Sequence, residues 1–213
     1  MKLAGSFFRL IRWPNLLFIA LTQALFYYAV IFPVLPAAYD QLRQKLTLPV
    51  FALLVLASVL IAAAGYIIND YFDINIDRVN KPDKMVVEKM IKRRWAIIWH
   101  IVLTMAGLVL SLYVGLKTSL IIFFANAGCA LLLWVYSTTF KKKLLSGNVI
   151  ISVLTAWTII VLYFAVNTVY LNPFRQHPDV ITAMNQVFKF AALYAGFAFI
   201  ISLVREVVKD IED

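Results

Sequence analysis

One cysteine in 213 residues excludes a disulfide framework within the chain. Cys129 lies inside an apolar run and reads as a small buried hydrophobe. The two histidines, His100 and His177, are far apart and have no partners at zinc-site spacing, which argues against a structural zinc. Charge is scarce as well: 15% of the residues are charged and 63% are hydrophobic, with mean hydropathy +0.85. That leaves too little polar surface to cover a water-soluble globule, so lipid is the solvent this composition fits. The basic start of the chain precedes an apolar stretch, as in a signal peptide. That stretch is too long for a signal core and lacks a convincing small-residue cleavage site, so it reads as a first membrane span.

Six windows hold the roughly 20 apolar residues a spanning helix needs. They lie near 15–38, 49–68, 95–116, 118–137, 148–171 and 186–204. The expected fold class is therefore all-α, a polytopic transmembrane helical bundle forming a single domain over 1–213. Pro33 and Pro36 are expected to bend or stop the first helix. Lys117 marks the tight turn between the third and fourth. Asn172-Pro173 opens a loop that closes near Asn185.

Most of the 20 Lys and Arg residues fall on one side of this bundle: in the N-terminus, loop 69–94, loop 138–147 and the C-terminal tail. The other side carries only Arg43, Lys45, Lys117, Arg175 and Lys189. The positive-inside rule then makes this a multi-pass protein of the cell (inner) membrane, with its N-terminus and basic loops in the cytoplasm. Trp13, Trp95, Trp99 and Trp134 fall near span ends on that side, as interfacial anchors do. The net charge of +9 is accounted for by topology and calls for no nucleic-acid partner.

The acids are grouped more tightly. Most of the 11 Asp and Glu residues sit in two stretches, one with Asp70, Asp73 and Asp77, the other with Glu206, Asp210, Glu212 and Asp213. Both follow even-numbered spans, so both are expected at the cytoplasmic boundary. If the second helix continues past its span, Asn69, Asp73 and Asp77 recur every four residues and share one face. Glu206 and Asp210 are again four apart and Asp213 is three further on, so helical spacing aligns these too. Carboxylates crowded near a bilayer repel one another and are costly to desolvate. Mg²⁺ resolves that conflict, because it prefers oxygen ligands and commonly bridges one or two carboxylates to substrate phosphates. Arg78, Lys81, Lys84, Lys141 and Lys142 lie between the clusters and could meet the remaining phosphate charge.

These residues resemble a known family. Asn69-Asp70-x-x-Asp73-x-x-x-Asp77 resembles the first aspartate-rich motif of the UbiA superfamily of membrane prenyltransferases. Arg205-Glu206-Val207-Val208-Lys209-Asp210-Ile211-Glu212-Asp213 resembles the start of its second. Tyr136-Ser137 with Lys141-Lys142, then Gly147-Asn148, and Arg12-Trp13-Pro14-Asn15 before the first span are also similar to family patterns. The resemblance implies a nine-helix bundle with a central cavity, of which about six spans are present, so the chain is expected to be C-terminally truncated. It further implies metal-site roles for Asn69, Asp70, Asp73, Asp77, Glu206, Asp210 and Asp213. Asp73, Asp77, Asp210 and Tyr136 would be catalytic. Arg12, Asn15, Arg78, Lys81, Ser137, Lys141 and Lys142 would meet the diphosphate.

The implied reaction is Mg-dependent transfer of a prenyl group, geranylgeranyl by resemblance, from its diphosphate to a lipophilic acceptor. The form of the second motif looks most like the branch that prenylates glycerol-phosphate ether lipids, such as digeranylgeranylglyceryl-phosphate synthases. Prenylation of a quinone precursor, hydroxybenzoate or dihydroxynaphthoate, is the alternative. From other classes, a transporter half or a non-catalytic fragment binding prenyl diphosphate stays open, although no polar trail is evident through the spans. An allylic cation needs a dry, aromatic-lined chamber, and Tyr71 and Phe72 beside the first motif are the aromatic candidates.

Overall fold

The computed structural model describes residues 2–35, 46–80, 85–142, 145–174 and 178–212. Its elements are α1 (Lys2–Leu10), α2 (Trp13–Phe26), α3 (Phe32–Val34), α4 (Leu48–Asn80), α5 (Arg93–Lys117), α6 (Leu120–Thr138), α7 (Ser146–Phe174) and α8 (Pro178–Glu212). No strand forms among the described residues. Six helical stretches are long and apolar enough to cross a membrane: Trp13–Val34, Leu48–Ile76, Arg93–Lys117, Leu120–Thr138, Ser146–Asn167 and Pro178–Ile211. The protein is an integral, multi-pass, all-α membrane protein.

Pro33 acts as its chemistry requires. It has no N–H for the carbonyl four residues back, and the turn before it, Tyr27–Ile31, widens into a π-helix. The helix then continues through Pro33 to Val34, and Leu35, which precedes Pro36, is extended. α4 and α8 run well past their apolar spans. α4 reaches Asn80 and α8 reaches Glu212, so each acidic stretch rides on a continuous helix projecting from the bundle.

The tightest helix pairs are α4 with α5 and α7 with α8. In the first, Gly107 lets the backbones meet: a Cβ there would stand 2.8 Å from Ile61 Cγ1 and 3.3 Å from the Ala57 carbonyl oxygen. One core packs α2 and the π turn against α4, α7 and α8, through Phe26, Ile31, Leu54, Leu162 and Val187. A second packs Leu10 and Ile11 against Ile67, Ile74 and Ala96, with the segment Met85–Val87 tucked beneath. That segment is held by Glu88 N–H donating to the Ile91 carbonyl at 2.8 Å. Trp13, Trp95, Trp99 and Trp134 are all exposed at the same end of the bundle as both acidic stretches. This is the distribution of an interfacial aromatic belt.

Candidate active site

Between α2, α4, α6, α7 and α8 lies a cavity of about 440 Å³. Arg12, Asn15, Asn69, Tyr136, Arg205 and Glu206 line its polar mouth. Phe18, Ile61, Leu133 and Leu154 line its apolar walls.

The first acidic stretch divides its carboxylates between two partners. Asn69 Nδ2 donates to Asp73 Oδ2 at 2.9 Å, the i, i+4 contact its spacing predicts. Lys141, from the short helical turn after α6, donates to the same Asp73 oxygen and to Asn69 Oδ1, the latter at 3.2 Å. Asp73 is buried, so this cation offsets a charge that would otherwise be costly there. Asp70 lies about 100° round the helix from Asn69 and takes a different partner. It accepts from Arg12 Nη2 at 2.7 Å. Arg12 adopts a left-handed backbone, φ 52°, at the joint between α1 and α2, and its guanidinium also stands 5.1 Å from the centre of the Tyr66 ring. Burial works against the Arg12 charge, but Asp70 more than offsets this and raises its pKa above the ordinary value.

The second stretch reaches the same cavity, where Glu206 and Lys209 share the lining with Asn69 and Tyr136. Asn148 Nδ2 donates to Asp210 Oδ2 at 2.8 Å, and Lys209 pairs with Glu206 at 3.6 Å. Asp73, Glu206 and Asp210 are all close enough to act electrostatically on the Tyr136 phenol. Tyr136 itself is buried, and Gly147 makes room for its ring: a Cβ at 147 would lie 3.1 Å from Tyr136 Cε2.

Other expected site residues lie elsewhere. Ser137 is buried and returns its hydroxyl to the Leu133 carbonyl at 2.9 Å, within its own helix. Arg78 donates to Glu88 at 2.6 Å and is mostly exposed, anchoring the 85–91 segment rather than lining the cavity. Lys81 and Asp213 lie outside the described residues, as do the side chains of Asp77 and Lys142. Tyr71 packs into the second core and Phe72 is exposed, because both fall off the helix face that carries Asn69. The rings at the cavity are Phe18, Tyr66, Tyr136 and Trp157. Cys129 also lines it, so it is not merely core.

Asn148 and Tyr66 are site residues that the sequence reading passed over as such. Asn148 was visible as part of Gly147-Asn148. Tyr66 sits one helical turn before Asn69 on the same face. Deeper in the membrane, polar side chains pair between helices. Asn126 donates to Ser111 and accepts from Trp157, and Gln23 donates to Ser58 and to the Thr158 carbonyl.

Among the described residues no three His, Cys, Asp or Glu side chains converge into a ready-made metal cage. The donors do suit a hard divalent cation that takes one or two protein oxygens and completes its shell from water and phosphate. Asp73 and Asn69 offer such oxygens on one side of the mouth and Glu206 and Asp210 on the other.

Residues 30–213 match the UbiA prenyltransferase family. The digeranylgeranylglyceryl phosphate synthase of Methanothermobacter thermautotrophicus is 33% identical over 162 residues, 74% of this chain and 49% of that protein. That of Methanothrix thermoacetophila is 34% identical over 172 residues, 81% of this chain and 55% of that protein. A solved structure from work on digeranylgeranylglyceryl phosphate synthase in membranes superposes with TM-score 0.67 at 25% identity, covering 100% of this chain and 64% of that one. The chain spans about half the length of the curated relatives it matches.

Proposed function

Because the chain belongs to the UbiA prenyltransferase family, we propose that its cavity binds a prenyl diphosphate and serves transfer of the prenyl group to the hydroxyl of a glycerol-phosphate ether lipid. One observation carries this reading: two acidic helix ends more than a hundred residues apart in sequence reach one cavity, whose lining Asn69, Tyr136 and Glu206 share. The mouth suits a diphosphate and the walls suit an isoprenoid tail. The named relatives favour the ether-lipid acceptor over a quinone precursor.

In this reading Asn69 and Asp73, with Asp77, would hold one Mg²⁺, and Glu206 and Asp210, with Asp213, a second. When bound, the ions would neutralise charge on the leaving diphosphate. The protein's own residues do the rest. Arg12, Asn15 and Lys141 stand at the mouth to meet phosphate oxygens, with Lys142 beside them in sequence. Tyr136, wedged against Gly147, directs its phenol toward the same region. Apolar walls keep water from the allylic carbon as its C–O bond breaks and the electron pair leaves with diphosphate. Tyr66, which lines the mouth, offers a ring to the developing positive charge. The acceptor hydroxyl oxygen then bonds to that carbon, and its proton passes to the departing diphosphate. The basic, tryptophan-rich end that holds the mouth would face the cytoplasm.

The test uses the chain in liposomes with labelled geranylgeranyl diphosphate, first measuring binding and then product. Each acceptor is offered separately: the glycerol-phosphate ether lipid, hydroxybenzoate and dihydroxynaphthoate. Mg²⁺-dependent binding, with product only from the ether lipid, is expected. Prenylation of an aromatic acid alone would overturn the acceptor assignment. Ion flux without diphosphate binding would replace the enzyme reading with a transporter.

A further inference from the structure

The carboxylate that the reading above gives to Mg²⁺ already holds a cation of the protein's own. Lys141 Nζ donates to Asp73 Oδ2, to which Asn69 Nδ2 also donates at 2.9 Å, and to Asn69 Oδ1 at 3.2 Å. One ammonium therefore covers an oxygen of each of the two side chains that this face of α4 offers to a metal. The pair is largely withdrawn from water: the side chains of Lys141 and Asp73 are 27% and 9% exposed. Arg12, a neighbouring cation, is held by Asp70 instead.

The backbone delivers Lys141 to this position. α6 ends at Thr138, where the Thr139 N–H donates to the Val135 carbonyl at 2.9 Å, and the chain then turns through Phe140–Lys142. It enters α7 just after Leu145, whose backbone is left-handed, φ 68°. Gly147, in the first turn of α7, lies close against that short turn: a Cβ there would be 3.0 Å from the Phe140 carbonyl oxygen and 3.5 Å from Lys141 Cα. The turn packs on both α6 and α7. Only the flexible four-carbon stem of Lys141 has to move to release Asp73.

Electrostatics sets the condition for that release. An ammonium displaced from Asp73 by a free divalent cation loses its partner and stands beside a like charge in a poorly hydrated place. A diphosphate removes the obstacle, because its oxygens accept from the displaced ammonium. We infer that Lys141 is a resident counter-ion that blocks Asp73 to free divalent cations and yields it when a diphosphate arrives, so that metal and diphosphate bind as one unit. This rests on the prenyl diphosphate reading above. Lys141 has two stations, Asp73 before a diphosphate binds and a phosphate oxygen after. The coupling is reciprocal: whatever factor diphosphate adds to metal affinity, the metal adds to diphosphate affinity.

The test makes two binding measurements on the chain in nanodiscs of neutral lipid. The first counts Mn²⁺ bound in the absence of diphosphate, from the loss of its free-ion electron paramagnetic resonance signal. The second measures retention of labelled inorganic diphosphate at saturating Mg²⁺. Lys141→Met moves the two in opposite directions. Mn²⁺ binds at least about tenfold more tightly than to the parent, a common size for coupling between sites, because Asp73 is unblocked. Diphosphate binds about tenfold more weakly, the scale of one charged hydrogen bond. Lys141→Gln keeps a donor for Asp73 without the charge, shifts both measurements the same way, and stands as the test should the methionine variant fail to fold. In an Asp73→Asn background, Lys141→Met leaves Mn²⁺ affinity unchanged, because the guarded carboxylate is gone. A rise that persists in that background would be a field effect on the second acidic stretch and would overturn the inference. So would a folded Lys141 variant whose Mn²⁺ affinity is no higher than the parent's, or whose diphosphate affinity is undiminished; Lys141 would then be a fastening of the α6–α7 turn. A parent chain that retains no diphosphate at any Mg²⁺ concentration would instead overturn the reading on which this rests.

Discussion

Arg12 and Asp70, 58 residues apart in sequence, share a 2.7 Å charged hydrogen bond that ties the N-terminal helix pair to the acidic end of α4. The bond also separates the roles of neighbouring acids. Asp70 is turned toward α2, while Asp73, about one turn on, is turned toward Lys141 and the mouth. One stretch of acids thus has two separate cationic partners, Arg12 and Lys141.

That division predicts different phenotypes for two conservative substitutions. Asp70→Asn should lower stability by about 1 kcal/mol, the scale of a partly exposed ion pair, and leave Mg²⁺-dependent diphosphate binding measurable. Asp73→Asn should abolish that binding while the protein still inserts and folds. Thermal unfolding in detergent together with diphosphate titration checks both. Equal loss of binding in the two variants would contradict the separation.

Gly107 is predicted to resist even alanine. The substitution gains helix propensity of about 1 kcal/mol. Against this, the new Cβ would lie 2.8 Å from Ile61 Cγ1, and the Ala57 backbone carbonyl beside it cannot move cheaply. Overpacking of this kind costs about 1–3 kcal/mol, so the net effect should be destabilising, most clearly in a Gly107→Val variant. Ile61 also lines the cavity, and its displacement should weaken binding of a prenyl tail more than that of inorganic diphosphate. A higher unfolding temperature for Gly107→Ala would show that the helices part without strain.

Gln23 is expected to be dispensable for stability. It is fully buried, and its Nε2 donates to Ser58 Oγ at 3.0 Å and to the Thr158 carbonyl at 2.9 Å, but its Oε1 has no partner among the described residues. Ser58 retains its bond to the Leu54 carbonyl when the amide is removed. Gln23→Met removes the orphaned acceptor at similar volume and should leave the unfolding temperature unchanged or raise stability by about 1 kcal/mol. A drop of several degrees would mean that the amide is a fastening after all.

Glu88 supplies a pH dependence outside the membrane. Its hydrogen bond from Arg78, together with the charge of Arg93, holds its carboxyl below the usual carboxylate range. Because the folded value is depressed, the contribution to holding segment 85–91 is present above the ordinary carboxylate pKa. It is lost as pH falls through the depressed value. Hydrogen exchange in 85–91 should therefore accelerate in acid, and Glu88→Gln should show the acid-like rate at neutral pH. Exchange that is independent of pH and of the substitution would remove Glu88 from this role.

Some of this architecture is plain in the residue order. Apolar runs of spanning length and the asymmetry of Lys and Arg define the six spans and their common end. The four-residue spacing of Asn69 and Asp73 predicts their contact, because helix geometry is local. Other assignments needed neighbours. Ser137 reads as a ligand beside Tyr136, but its hydroxyl bonds back within its own helix. Arg78 reads as a phosphate contact, but Glu88, ten residues on, takes it. Gln23, Asn126 and Ser111 look like isolated polar letters in apolar spans, because pairing between helices leaves no periodic trace.

The sequence alone determined six stretches long and apolar enough to cross a membrane and two lines of acids, since both follow from composition and the 3.6-residue period. Only the tertiary structure decided that both lines reach one cavity, that Arg12 takes Asp70, and that Trp157 bonds to Asn126. These depend on which helices pack together, and packing is set by contacts between residues scores of positions apart, at glycines and rings whose partners no local pattern records.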